Sequence, residues 1–222
     1  MNANNPVAAQ DPTAASAPLN GNREDILNAA IKVFGQVGYA AASTNDIVKR
    51  ANVSKGLLFH HFKNKQTLYT ACQLYVMEQY GKFMEQHFDL SGTDFFDRIL
   101  SNLRLKMEFG KRRPELLALI NRAWYADGEE NTLTRQAVQD YIMQSPQGPA
   151  FAQFFEGIDT TVFREGLDLN KVLAYTRMIL EASWVQYSKK HQDDSEVMAR
   201  EMDDYISECE EIIALIRDGV YA

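Results

Sequence analysis

Residues Ser43 to Phe62 read STNDIVKRANVSKGLLFHHF, and the way their apolar side chains divide between faces decides the fold of the N-terminal part of the chain. Ser43 or Thr44 can cap a helix whose inward residues, Ile47 and Ala51, are four apart. Asn52 and Val53 then make a turn. Ser54 caps a second helix with Leu58 and Phe62 as its inward pair, again four apart. Two short helices joined by a tight turn form a helix-turn-helix.

Upstream, Ile26, Ala29, Ala30, Val33 and Phe34 recur at helical spacing and predict a helix over 22–37. Gly38 is placed to end it, so Gly35-x-x-Gly38 reads as helix end and turn, not as a phosphate loop. Downstream, Asn64 and Lys65 open a fourth helix that keeps its period to about His87. Further helices are predicted over 94–110, 114–126, 131–144, 148–165, 169–190 and 194–218. Alternating strand patterns are absent, which makes the class all-α: a three-helix head with a helix-turn-helix, then a larger helical body. The expected organisation is a disordered tail at 1–21, a head at 22–70 and a regulatory body at 71–222. The tail is rich in Ala, Pro, Asn and Ser and has little apolar bulk to offset ordering entropy.

The net charge of the 222 residues is −7, which argues against a protein coated with nucleic acid, but the charge is unevenly spread. From Gly21 to Ala71 seven basic residues face three acidic ones, giving +4; residues 1–20 carry one acid, so 72–222 carries −10. A small basic head on an acidic body suits a nucleic-acid partner at one end. The two cysteines, Cys72 and Cys209, lack metal or disulfide spacing and fit a reducing, cytoplasmic setting. No apolar run is long enough for a bilayer and the N-terminus has no signal-peptide pattern, so neither a membrane nor secretion is expected. Nucleophile-elbow, zincin, phosphate-loop and dinucleotide motifs are missing, so neither an enzyme nor a cofactor is expected. His60 and His61 are adjacent and point about 100° apart, which excludes one metal held from one helix face.

With Leu58 and Phe62 inward, the second helix of the motif distributes Lys55, Gly56, Leu57, Phe59, His60 and His61 over its outer surface. That surface suits a major groove: Lys55 can meet guanine acceptors, Leu57 a thymine methyl, and Gly56 permits close approach. Thr44, His61 and Lys65 can meet phosphates, Lys65 together with the first amides of the fourth helix.

The run STNDIVKRANVSKGLLFHHFKNKQTLYTA, Ser43 to Ala71, resembles the TetR family of bacterial transcriptional regulators, whose pattern is Val-Ser-x-Gly-x-Leu-Tyr-x-His-Phe-x-x-Lys-x-x-Leu. With the preceding helix the match covers under a quarter of the chain. The resemblance implies that Thr44 and Lys65 contact phosphate, with Asn45 beside them in the DNA-binding set, and that Lys55, Gly56 and Leu57 face bases. His61 matches the family's backbone-contacting His. Phe59 replaces its usual Tyr, so the hydroxyl contact to phosphate is missing while packing against the DNA backbone can remain. Asn52 replaces a common Gly, and Asn tolerates the left-handed conformation nearly as well. His60 is left without a role.

The resemblance also implies a C-terminal domain that dimerises through its last two long helices and binds a small ligand. Independently, Val172, Leu173, Thr176, Ile179, Leu180, Ser183 and Trp184 form one wide apolar stripe. Met198, Met202, Tyr205, Ile206, Cys209, Ile212, Ile213 and Ile216 form another. Each suits either a shared interface or the core of one protomer. The expected function is a homodimeric repressor of a pseudo-palindromic operator on double-stranded DNA, released by a small apolar or aromatic ligand. Met107, Arg122, Trp124, Tyr125, Tyr141, Phe155 and Trp184 are the candidate ligand residues, with Arg122 or Tyr125 as polar anchors. The alternative is an architectural or protein-partner factor with the same head and no small effector.

Overall fold

The computed structural model describes residues 21–89, 91–125, 128–144, 156–191 and 194–222, with backbone alone for 123–125 and 195. The expected tail therefore lies outside the described residues, apart from Gly21. The head is α1 (Gly21–Ala41), α2 (Thr44–Ala51), α3 (Lys55–Phe62) and the start of α4 (Lys65–His87). The body continues with α5 (Phe95–Arg112), α6 (Pro114–Tyr125), α7 (Glu129–Gln144), α8 (Leu169–Lys190), α9 (Ser195–Arg200) and α10 (Met202–Val220). Among the described residues there is no strand, only an isolated antiparallel bridge between Phe163 and Tyr221, so the chain is all-α.

The expected boundaries fail in three places. Gly38 does end the regular part of α1, at φ 75°, which a glycine adopts without a Cβ clash; a further turn follows to Ala41. Gly35, read as part of that turn, instead lies buried inside the helix, where an added Cβ would stand 3.2 Å from the carbonyl oxygen of Glu115 on α6. Over 156–165, part of the helix predicted at 148–165, the chain makes no α-helix but turns and a 3-10 segment at Thr160–Val162. Gly157 sits at φ 71° and Asp159 accepts from the Thr161 amide, both turn features. The helix predicted over 194–218 is two, broken at Glu201 (φ −90°, ψ 8°).

One apolar core runs from head into body. Ile26, Phe34, Ile47, Leu58, Phe62, Leu68 and Val76 meet there with Phe109 of α5 and Leu116 and Leu119 of α6. A second cluster joins Met107 and Leu117 to Trp184 of α8 and to Met198, Met202, Tyr205 and Cys209 of α9 and α10. A third, at the far end, packs Phe95 and Phe96 on Phe163, Val172 and Ile213. Burying a large side chain of this kind contributes about 1.5–3 kcal/mol.

A candidate DNA-binding face on the helix-turn-helix

Each helix of the motif is built from local signals. The Ser43 hydroxyl accepts from the Asn45 amide at 3.2 Å, the Ser54 hydroxyl from Leu57 at 3.2 Å, and the Asn64 side chain from Thr67 at 2.8 Å, so all three helices start on a side-chain cap. Asn52 closes α2 in the left-handed region at φ 53°, which turns the chain into α3. Leu58 and Phe62 are 0% and 1% exposed and anchor α3 on Ile47 and the rest of the head core.

With those anchors inward, Lys55, Gly56 and His60 are exposed, while Leu57, Phe59 and His61 are half-buried along the flanks of α3. Phe59 packs against the head core, so its ring is partly an anchor and only partly surface. A Cβ added at Gly56 would meet nothing nearer than the Ser54 hydroxyl at 3.9 Å, so the outer strip of the helix is bare there. The rings of His60 and His61 stand edge to face, 5.4 Å apart. Burial, the neighbouring His60 and the cation of Arg23 all push the His61 pKa below its ordinary value. Thr44 is half-buried at the first position of α2, and Asn45 is exposed beside it.

Two of the head's cations are less free than the sequence suggests. Arg23 is buried, its guanidinium 5.2 Å from the centre of the Phe62 ring, and burial lowers its pKa. Lys65 donates to the Ala40 carbonyl at 3.3 Å and lies 4.6 Å over the Tyr39 ring, so it also ties α4 to the end of α1. Burial lowers its pKa while Glu130 opposes that shift.

The head is fastened to the body at two seams that sequence reading missed. From α6, Arg122 donates to the Gly35 and Gln36 carbonyls of α1, both at 2.8 Å. From α7, Asn131 accepts from the Tyr69 hydroxyl at 2.9 Å, and Thr134 meets Gln66 at 3.1 Å and Thr70 at 3.2 Å. Asn131 and Thr134 are buried, and burial pushes the Tyr69 hydroxyl up to about 12. No spacing signal marks these partners, which lie more than sixty positions apart in the chain.

The candidate ligand residues are not gathered around one described cavity. Met107 and Trp184 are buried in the second core cluster, with the Trp184 indole donating to Asn121 at 3.2 Å and the Lys106 ammonium 5.2 Å over its ring. Arg122 turns toward α1. Tyr141 is half-buried on α7, its hydroxyl pKa raised by burial and by Glu78. The side chains of Trp124 and Tyr125 and the whole of Phe155 lie outside the described residues. Clefts of ≈ 320 and 270 Å³ lie along α1, lined by Asn28 and Lys32 with Arg50 or Arg113. Among the described residues no helix is long and apolar enough to cross a membrane, and no cluster of three His, Cys, Asp or Glu could hold a metal.

Residues 26–72 match the family model described as bacterial regulatory proteins, tetR family. The chain is 32% identical over 75 residues to YerO, an HTH-type transcriptional regulator of Bacillus subtilis, a stretch covering 33% of this chain and 26% of that protein. Over 65 residues it is 34% identical to the HTH-type regulator BetI of Yersinia pestis, across 29% of this chain and 33% of BetI. The chain thus aligns with about a third or less of the length of these relatives. Its fold extends further: a TetR family transcriptional regulator from Chloroflexus aurantiacus superposes with a TM-score of 0.61 at 19% identity, covering 95% of this chain and 98% of that one. The local signature and the fold agree: residues 26–72 match the tetR family model, and the chain as a whole shares the fold of a solved TetR family regulator.

Proposed function

We propose that the protein is a homodimeric transcriptional repressor that grips a pseudo-palindromic operator with two α3 helices and releases it when a small apolar or aromatic ligand binds the body. The observation that carries this reading is the outer face of α3, where Lys55, Gly56 and His60 are exposed opposite the buried Leu58 and Phe62. In this reading Lys55, Gly56 and Leu57 enter the major groove, while Thr44, Asn45, Phe59, His61 and Lys65 hold the flanking backbone. Two-fold symmetry sets the recognition helices about 34–36 Å apart, on successive major grooves. Release requires a ligand that binds the wrongly spaced conformation more tightly than the operator-bound one.

Dimerisation is supported by apolar side chains left outside. On α8 Tyr175, Met178 and Ile179 are exposed, and on α10 so is Leu215. Ile179 belongs to the first predicted stripe and the other three are members of neither stripe, most of whose residues pack inside the protomer. That filled core, with Met107 and Trp184 at 0% and 3% exposure, also favours a second reading: the same DNA-binding dimer without a small effector.

The test is footprinting of the full-length protein on the DNA flanking its own gene, followed by challenge of the complex with ligands. Acyl-CoA thioesters and flat aromatic compounds form the panel, the former because FadR of Bacillus subtilis, which shares the fold at TM-score 0.60 and 17% identity over 88% of this chain and 98% of that one, was crystallised with stearoyl-CoA. One protected inverted repeat released by a panel member supports repression with induction. Protection that no small molecule releases supports the second reading, and no protected site defeats both.

A further inference from the structure

His60 is the residue of α3 that the family resemblance leaves without a task, and its surroundings supply one. It lies two positions from each buried anchor, Leu58 and Phe62, which at about 100° per residue turns it away from the core. Gly56, four positions earlier, lies on the same outermost strip. A helical side chain leans toward the N-terminus and covers the turn before its own Cα, so the ground in front of His60 is the bare backbone of Gly56. That ground is open: apart from the adjoining residues and the helix's own backbone, the nearest atom to a Cβ placed at Gly56 would be the Ser54 hydroxyl oxygen, at 3.9 Å. The imidazole is thus the one side chain projecting from the crest of α3, with Leu57 and Phe59 lower on either flank and the His61 ring 5.4 Å away, edge to face, limiting its swing.

We infer that His60 is a specificity-determining residue which reads a guanine in each operator half-site, its ring N–H donating to the N7 and O6 edge across the space left by Gly56. This rests on the DNA-binding reading of the head. A guanine presents two adjacent acceptors in the major groove, whereas adenine sets a donor beside its N7, so a ring N–H centred on that edge favours guanine. His60 differs in this from Lys65 and His61, which sit at the margin of the face where phosphates would pass and carry no base information.

The experiment uses the full-length protein. Operators are selected from random duplexes with wild type, His60→Ala and His60→Gln, and affinities are then measured for each base pair at every half-site position and across a salt series. His60→Ala should lose its preference at one G·C pair per half-site by about tenfold or more while keeping the salt slope, and His60→Gln, with an amide suited to adenine, should move the preference there to A·T. Thermal melts by circular dichroism should match wild type, because the side chain is exposed. An unchanged preference profile in His60→Ala would overturn the inference, as would a uniform loss on all duplexes with a reduced salt slope, which marks a phosphate contact. Failure of wild type to select any duplex would instead overturn the DNA-binding reading itself.

Discussion

Lys65 joins two helices of the head with one side chain. Its ammonium holds the Ala40 carbonyl and the face of Tyr39, which ties the start of α4 to the end of α1, and in the proposed function it also meets a phosphate. Lys65→Ala should therefore weaken binding to all duplexes alike and reduce the salt slope by about 1, measured by fluorescence anisotropy between low and physiological salt. A slope equal to wild type would remove Lys65 from the phosphate set. At this scale the sequence was legible wherever the cause is local. Caps at Ser43, Ser54 and Asn64, and anchors four apart, need only neighbours within one turn. Arg23 was not legible: it counts as surface charge in the sequence, yet tertiary packing puts it over Phe62.

The helices carry a second kind of information. α4 is clasped by α7 through Tyr69, Thr70 and Gln66, a polar seam in a place where an apolar one would have been easier to recognise. Thr134 is fully buried at its centre, and Thr134→Val keeps the shape while leaving Gln66 and Thr70 without that hydroxyl. The substitution should destabilise the protein by about 1–3 kcal/mol, read as a lower midpoint in urea with an unchanged m-value. A midpoint within error of wild type would show that the seam contributes nothing net. Two helix predictions failed for identifiable reasons. Over 156–165 the turn chemistry of Gly157 and Asp159 prevailed over the apolar residues around it. At Glu201 the backbone departs only to φ −90°, ψ 8°, so Met198, Met202 and Tyr205 stay in phase and the periodicity runs across the break.

At the scale of the whole molecule, charge is segregated along the chain. The head, residues 21–71, carries +4 and the body, 72–222, carries −10. Among the described residues Val37, Leu133, Met143 and Leu167 are large apolar side chains exposed elsewhere, while Tyr175, Met178, Ile179 and Leu215 lie on the last two long helices. Met178 and Leu215 are 61% and 75% exposed, so glutamate at either costs the protomer little, yet in a shared interface it would bury a charge. Met178→Glu combined with Leu215→Glu should convert a dimer to a monomer by analytical ultracentrifugation at micromolar protein, with the helical circular dichroism spectrum preserved and operator affinity lost. A double variant that stays dimeric would place the interface elsewhere.

The sequence by itself determined the helix-turn-helix and the all-α class, because caps, a left-handed Asn52 and apolar residues four apart act within a turn or two of chain. Only the tertiary structure decided which cations stay at the surface, which aromatic residues become core and which apolar residues remain outside. Those outcomes depend on partners far away in the chain, such as Arg122 with Gly35 or Trp184 with Asn121, and no local periodicity encodes which helices meet.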